Sequence, residues 1–401
     1  MTLTIPAILQ CPISGCDLSF ADEGYITELR DRVSKGAVTH VTGAPVRMQL
    51  EAALRSSDGR FIYPVVDGIL ILLPGLAMVT AGEKHAAAGL QLAADTDSVM
   101  HFYDEIGWQS SKGDEFQDAE LFEDFRPVSR EYIHKCHMRI NDHIEPRGKY
   151  LLDAASGPVQ YREYLSYSEK YDHRICADVS LTALKKAKAK LGDKGIYIQC
   201  DITQLPLKTA SVDAFVSLHT IYHVPEKKQA AAFRELERVL SPGKTGAVVY
   251  TWGPHCTPML LLMDPVQASK RLLKSVLPAA VLNRLKGARG TPASAIDAGP
   301  SSESHQQKAE PTLYYHAHDY AWFQREIAST AGWDVRIWRS VSVPFLKLYM
   351  RSKLLGKQLL SVLFWIENAA PHVCGKFGYY PLLLFTKPVS GNIGSRERLS
   401  S

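Results

Sequence analysis

An α/β fold built on a parallel sheet is predicted by three features of residues 149–253. Apolar runs of strand length alternate with helix-length segments, the first three runs close on an aspartate, and a turn of small residues follows the first run. Tyr150 to Asp153 forms the first expected strand, and Ala154-Ala155-Ser156-Gly157-Pro158 the turn, where short side chains let a ligand approach the backbone. The second run, Arg174 to Ala177, ends at Asp178, roughly 20 residues past the turn, where a ribose-binding carboxylate belongs. Ser180 then caps a helix to Leu191, with Leu181, Leu184, Ala187 and Leu191 on one face and Lys185, Lys186, Lys188 and Lys190 mostly in solvent. A third strand, Gly195 to Cys200, stops at Asp201, and a fourth, Val212 to Leu218, at His219. A helix over Lys227 to Leu240, a Ser-Pro-Gly turn and a fifth strand, Ala247 to Trp252, complete the repeat.

These blocks resemble the class I S-adenosylmethionine-dependent methyltransferases, and in particular their type 11-like core. The likeness rests on LLDAASGP (151–158), ADVS (177–180), CDITQLPL (200–207), SVDAFVSLHTIYHV (211–224) and ELERVLSPGKTGAVVY (235–250), five blocks in the family's order. It implies a Rossmann-like sheet of seven strands flanked by helices, only the last strand being antiparallel, and S-adenosyl-L-methionine as cofactor. On that likeness Asp153, Ala155 and Gly157 lie by the methionine part, Asp178 with Val179 at the ribose, Asp201 with the Ile202 amide at the adenine, and His219 beside the methionine end. Ala155 and Val159 stand where the family commonly has glycine. Such residues are accommodated at negative φ and strained at a left-handed position. A nicotinamide-dependent dehydrogenase needs a Gly-rich pyrophosphate turn, which Ala-Ala-Ser-Gly-Pro-Val does not supply.

Methyl transfer asks mainly for alignment in a dry cleft, because the cofactor's methyl group is already activated. A base is needed only for an acceptor that holds its proton, and His219 and His223 are the candidates, since an ordinary histidine pKa suits the role. The plainer reading, that both hydrogen-bond loop backbone, stands beside it.

The 401 residues, 46% hydrophobic and 22% charged, are ordinary for a globular enzyme, and a net charge of +4 carries no strong nucleic-acid signal. Seven scattered cysteines fit reduced thiols, and MTLTIPAILQ lacks a secretory pattern, so the expected location is cytoplasmic.

Six regions are expected: an amino-terminal domain over 1–80, a helical connector and cleft cover over 81–148, the cofactor-binding core over 149–253, a helical lid with a flexible linker over 254–311, the remainder of the fold over 312–390, and a tail over 391–401. The first opens with Cys11-Pro-Ile-Ser-Gly-Cys16 and closes with the apolar run 61–74, and in both it resembles the zinc-ribbon family of methyltransferase activator subunits. Only Cys11 and Cys16 are present there, and His40, read as an exposed loop residue, does not complete a tetrahedral set, so a metal-free remnant is expected. Its Ile62 to Leu73 run is of the kind a protein partner uses.

Tyr103 and Tyr132 are candidate cofactor-covering residues by resemblance, with half-buried connector side chains as the plainer alternative. Met259 to Leu285 is read as amphipathic helix broken at Pro278 and roofing an acceptor pocket. His316 and His318, beside Asp319, suggest metal ligands, but a helix cap and pocket wall is preferred, and no metal is expected. Asp319 starts a helix to Ala331, Trp333 to Val343 forms the sixth strand, and Tyr380 to Lys387 the last. Phe345 to Asn368 is a basic amphipathic segment suited either to core packing or to peripheral contact with an anionic membrane. The expected activity is methylation of a small, partly apolar acceptor. An RNA methyltransferase and a non-catalytic, methyltransferase-like scaffold are the alternatives.

Overall fold

The computed structural model describes residues 7–47, 50–80, 123–253, 314–351 and 355–389. Tyr103, the expected lid and linker, and the tail lie outside them.

The amino-terminal part supplies β1 (Leu18–Phe20), α1 (Glu23–Ser34), β2 (Val38–His40), β3 (Ala52–Ser56), β4 (Ile62–Val66), β5 (Ile69–Ile71) and β6 (Met78–Thr80). After α2 (Arg130–Met138) the repeat runs β7 (Gly148–Ala154), β8 (Tyr171–Asp178), α3 (Leu181–Leu191), β9 (Gly195–Gln199), β10 (Ala214–Leu218), α4 (Gln229–Val239) and β11 (Thr245–Val249). Then come α5 (Tyr320–Glu326), β12 (Trp333–Arg339), α6 (Val343–Tyr349), α7 (Gly356–Ala369), α8 (Pro371–Phe377) and β13 (Tyr380–Thr386).

Among the described residues, 13 strands join one sheet, in the order β1-β3-β4-β5-β9-β8-β7-β10-β11-β13-β12, with β6 and β2 branching from β4. From β9 to β11 every pairing is parallel, and β13 runs antiparallel to both β11 and β12. The expected sheet is enlarged because β5 pairs in parallel with β9, Leu70 opposite Ile198. The apolar run expected to serve a partner therefore meets a strand of its own chain. It is also two strands, because Asp67 at φ 52° and Gly68 at φ 71° turn the chain between them.

Alternation along β7 sends Tyr150, Leu152 and Ala154 to one core and Leu151 to the other, as a sheet covered on both faces requires. The first core also holds Leu54, Tyr63 and Leu72, so the amino-terminal strands share its interior. Polar ties add to this joint: Gln204 Nε2 donates to the Pro12 carbonyl at 2.6 Å, and Lys208 Nζ pairs with Asp17 at 2.6 Å. The α3 lysines, expected in solvent, take part as well. Lys185 pairs with Asp67 at 2.7 Å, Lys188 donates to the Asp67 carbonyl, and Lys190 donates to the Val159 carbonyl at 2.8 Å.

Ser180 and Asp319 cap α3 and α5 as expected, through the Ala183 and Trp322 amides. α5 ends at Glu326 rather than Ala331. The sixth strand stops at Arg339, because Ser342 and Pro344 start α6, with the Phe345 amide bonded to the Ser342 hydroxyl. The basic amphipathic segment is two helices, with Leu355 at φ 57° ahead of the second. Leu346 and Leu360 pack against Tyr132 and Ile133, while Leu359, Val362 and Trp365 stay exposed, Trp365 at 69%. Among the described residues no helix is long and apolar enough to cross a membrane.

Candidate functional site

β8 and β10 flank β7 on opposite sides, so the carboxyl ends of these strands open the crevice where α/β sheets bind ligands. The turn after β7 passes through left-handed backbone at Ala155 (φ 56°), Gly157 (φ 53°) and Val159 (φ 52°). Glycine adopts this conformation freely, whereas alanine is strained there and a β-branched valine more so. The strain persists because the turn is tied down. The Ala155 and Ser156 amides donate to the Ala177 carbonyl at 2.7 and 3.2 Å, and the Gly157 amide donates to Asp178 Oδ2 at 2.8 Å.

Asp178 is buried at the end of β8, and its Oδ1 accepts from the Ser180 amide at 2.9 Å. It braces the turn from the neighbouring strand. Val179 is half-buried beside it, and its carbonyl accepts from Gln199 Nε2 at 2.8 Å. Asp153 does not face an open cleft. It is buried in a two-pronged ion pair with Arg174 of β8, at 3.0 Å to Nε and 2.5 Å to Nη2. Asp201 Oδ1 accepts from the Thr203 amide and hydroxyl at 2.8 and 2.7 Å, and Ile202 is buried next to it.

His219, at φ 59°, continues from β10, with ring centroids 4.6 Å from Trp338 and 5.0 Å from Tyr380. Burial, reinforced by Arg339, lowers its pKa to about 3. His223 Nδ1 lies 2.8 Å from the Tyr314 carbonyl. A carbonyl only accepts, so Nδ1 carries the proton and Nε2 the lone pair. Burial lowers its pKa to about 4, against the opposing effect of that hydrogen bond.

Behind His219 stands a buried wall that sequence reasoning missed. Glu123 meets Arg339 at 2.6 Å, and His137 Nε2 lies 3.5 Å from the other Glu123 oxygen. The His137 ring stacks on Trp338 at 5.4 Å and neighbours Tyr161 and Tyr164. Burial opposes ionisation of Glu123, but Arg339 and His137 outweigh it and hold the carboxyl at about 2. Trp338 Nε1 and Arg339 Nε are buried without a hydrogen-bond partner among the described residues, whereas both His137 nitrogens face carboxylates, Nε2 that of Glu123 and Nδ1 that of Glu163 at 3.9 Å. Buried polar atoms are ordinarily satisfied, so the Trp338 and Arg339 donors are open to a bound water or ligand. Only the alternation of charge and aromatic residues around Trp338-Arg339 hinted at this in the sequence.

Tyr132 has a different place. Its hydroxyl donates to buried Glu367 at 2.7 Å, and Glu367 also pairs with Arg139 at 2.9 Å, fastening α2 to α7. In the amino-terminal part the Cys11 thiol meets the Tyr63 hydroxyl at 3.1 Å, and the Cys16 thiol meets Asp58 at 3.7 Å. His40, expected in an exposed loop, is buried on β2 against the Leu76 carbonyl at 3.0 Å. A groove of about 580 Å³ lined by Tyr320, Trp333, His372 and Lys376 shares no residue with the strand-end crevice.

Residues 152–248 match the family model described as a methyltransferase domain. This segment carries a methyltransferase domain. Its cofactor is S-adenosylmethionine. An uncharacterized methyltransferase of Geobacillus sp. (strain WCH70) is 32% identical over 59 residues, which cover 15% of this chain and 28% of that relative. Among solved structures, geranyl diphosphate C-methyltransferase from Streptomyces coelicolor A3(2) is similar at 11% identity, over 74% of this chain and 98% of that one, with a TM-score of 0.41. The complex of the Haloferax volcanii Trm112 methyltransferase activator with a methyltransferase is similar at 11% identity, over 65% and 92%, with a TM-score of 0.37.

The crevice of the methyltransferase domain suits its cofactor in kind. Ala155 and Gly157 keep the turn free of long side chains, Asp178 and Asp201 end adjacent strands, and unsatisfied donors lie beyond His219.

Proposed function

We propose that this protein transfers a methyl group from S-adenosylmethionine to a small, partly apolar acceptor. The observation that carries the reading is the buried wall of Trp338, Tyr380, His137 and the Glu123–Arg339 pair, which stands behind His219 at the strand-end crevice. Ala155 and Gly157 would lie along the methionine part, Asp178 at the ribose and Asp201 with Ile202 at the adenine. When bound, the cofactor supplies an activated methyl group, so the protein's work is alignment and exclusion of water.

The aromatic faces of Trp338 and Tyr380 hold the acceptor's apolar part, and the unpartnered Trp338 Nε1 and Arg339 Nε orient its polar group. His223 Nε2 accepts the acceptor's proton while Nδ1–H, held by the Tyr314 carbonyl, fixes the ring. The low pKa keeps this base neutral at ordinary pH and makes it a weak one. His219 lines the crevice as a neutral ring. The amino-terminal strands act as a platform built into the chain, an assignment supported by the β5–β9 pairing. The exposed apolar face of α7, flanked by Lys357 and Arg351, suits peripheral contact with an anionic membrane, and sedimentation with phosphatidylserine vesicles tests it.

A non-catalytic scaffold is the second reading. It is favoured by the left-handed Ala155 and Val159 and by the engagement of Asp153 with Arg174. Calorimetric titration with S-adenosylmethionine and S-adenosylhomocysteine separates the two. Saturable binding that Asp178→Ala weakens supports the enzyme, whereas no binding by folded wild-type protein leaves the scaffold.

A further inference from the structure

Segment 314–319 passes the loop that bears His223, and its backbone is fixed from several sides. The His316 amide donates to the Tyr222 carbonyl at 2.8 Å, and Gln229 Nε2 donates to the His316 carbonyl at 2.8 Å. The Gly253 amide donates to the His318 carbonyl at 3.0 Å, and the His318 amide donates to the Tyr250 hydroxyl at 3.1 Å. Held this way, the two imidazoles turn toward each other, their centroids 4.6 Å apart. His318 lies flat on Trp322 at 3.8 Å and 6°, which limits its rotation.

Glu226 comes from the opposite wall. It follows Pro225, its amide donates to the Tyr314 hydroxyl at 3.1 Å, and its carboxylate reaches within 3.6 Å of His316 Nε2. One ligating atom from each of Glu226, His316 and His318 lies within 4.8 Å of the others. An ordinary ion pair accounts for His316 and Glu226, while the His318 ring meets Glu226 as well and its Nε2 is buried with no hydrogen-bond partner among the described residues.

We propose that Glu226, His316 and His318 form a transition-metal site of zinc type that clamps segment 314–319 onto the loop carrying His223. Two imidazoles and one carboxylate are borderline donors of the kind zinc takes, whereas magnesium and calcium favour all-oxygen sets. Bond lengths of about 2.0–2.2 Å require the three donors to draw together by roughly 1 Å, a side-chain adjustment that leaves a fourth position to water. The Glu226 side chain is 54% exposed, so an ion reaches the site from solvent. The clamp would position His223 indirectly, because the carbonyl that holds its Nδ1 belongs to Tyr314, two residues before His316. The site itself does not depend on methyl transfer being the activity.

The test uses the full chain without a polyhistidine tag, stripped with EDTA and titrated with Zn2+ against a chromogenic chelator, with thermal unfolding followed in parallel. One equivalent is expected to bind with a micromolar or lower Kd and to raise Tm. His316→Ala and His318→Ala are each expected to weaken binding at least tenfold, and Glu226→Gln severalfold. His318→Phe keeps a ring on Trp322 while deleting the donor, so it should retain the wild-type circular dichroism spectrum and still lose zinc. The Cys11→Ser/Cys16→Ser variant should bind as wild type, and Co2+ should give a visible spectrum without a thiolate charge-transfer band. Zinc retained by both histidine-to-alanine variants, zinc lost with the cysteines, or no saturable binding by folded wild-type protein would overturn the proposal.

Discussion

At the turn end of the crevice the carboxylates are satisfied by close neighbours: Asp178 by amides at Gly157 and Ser180, Asp153 by the adjacent strand's Arg174. At the wall end, Glu123, His137 and Arg339 are buried together, with Trp338 Nε1 and Arg339 Nε left without a partner among the described residues. The turn end spends its hydrogen bonds on holding an unfavourable backbone in place, and the wall end keeps donors in reserve.

The largest expected effect probes the wall. Arg339→Met leaves Glu123 charged and buried, and urea unfolding should show a loss of about 3–5 kcal/mol, much of it recovered in the Glu123→Gln/Arg339→Met double variant. A loss under about 1 kcal/mol would remove the buried pair from the comparison. Next, His223→Asn should lower turnover about 100-fold with S-adenosylhomocysteine affinity unchanged. Unchanged turnover would strip His223 of its role as base. For the turn, Asp178→Ala should weaken cofactor binding roughly 10- to 100-fold by calorimetry, since hydrogen bonds to a charged group contribute about 1.5–3 kcal/mol.

A pH series sharpens the contrast. His219 and His223 have folded pKa values near 3 and 4, below the ordinary 6.5, so the unfolded chain takes up protons first on acidification. Their contribution is fully present above pH 6.5 and falls as the pH drops toward 4 and then 3. The urea midpoint should therefore be lower at pH 5 than at pH 7.5, and the difference should shrink in His219→Phe. The smallest effect is Ala155→Gly. Relief of the left-handed strain, partly offset by the flexibility glycine adds to the unfolded chain, should raise stability by about 0.5–1 kcal/mol.

The repeat from β7 to β11 was legible because its signals are local: apolar runs, a small-residue turn, carboxylates at strand ends, and the serine cap of α3. The roles of Asp153 and Tyr132 were not, because Arg174 and Glu367 reach them only across the folded sheet and between helices. The wall escaped for the same reason. Its members, Glu123, His137, Trp338 and Arg339, are separated by more than 200 residues of chain at the extremes and share no spacing pattern. The α7 segment was readable as amphipathic, but its periodicity did not tell which part of the apolar face would be covered. Leu360 is buried and Leu359 is not.

The parallel bond ladder between β5 and β9 bears on how the chain avoids self-association. Without residues 69–71, β9 would be the margin of the sheet, with its backbone at Ile198 and Gln199 unpaired and the apolar side chain of Ile198 beside it. Margins of that kind recruit strands from other molecules. The amino-terminal strands thus serve as a guard for the sheet, and a version beginning after residue 80 is expected to precipitate or form oligomers on size-exclusion chromatography even where its crevice is intact.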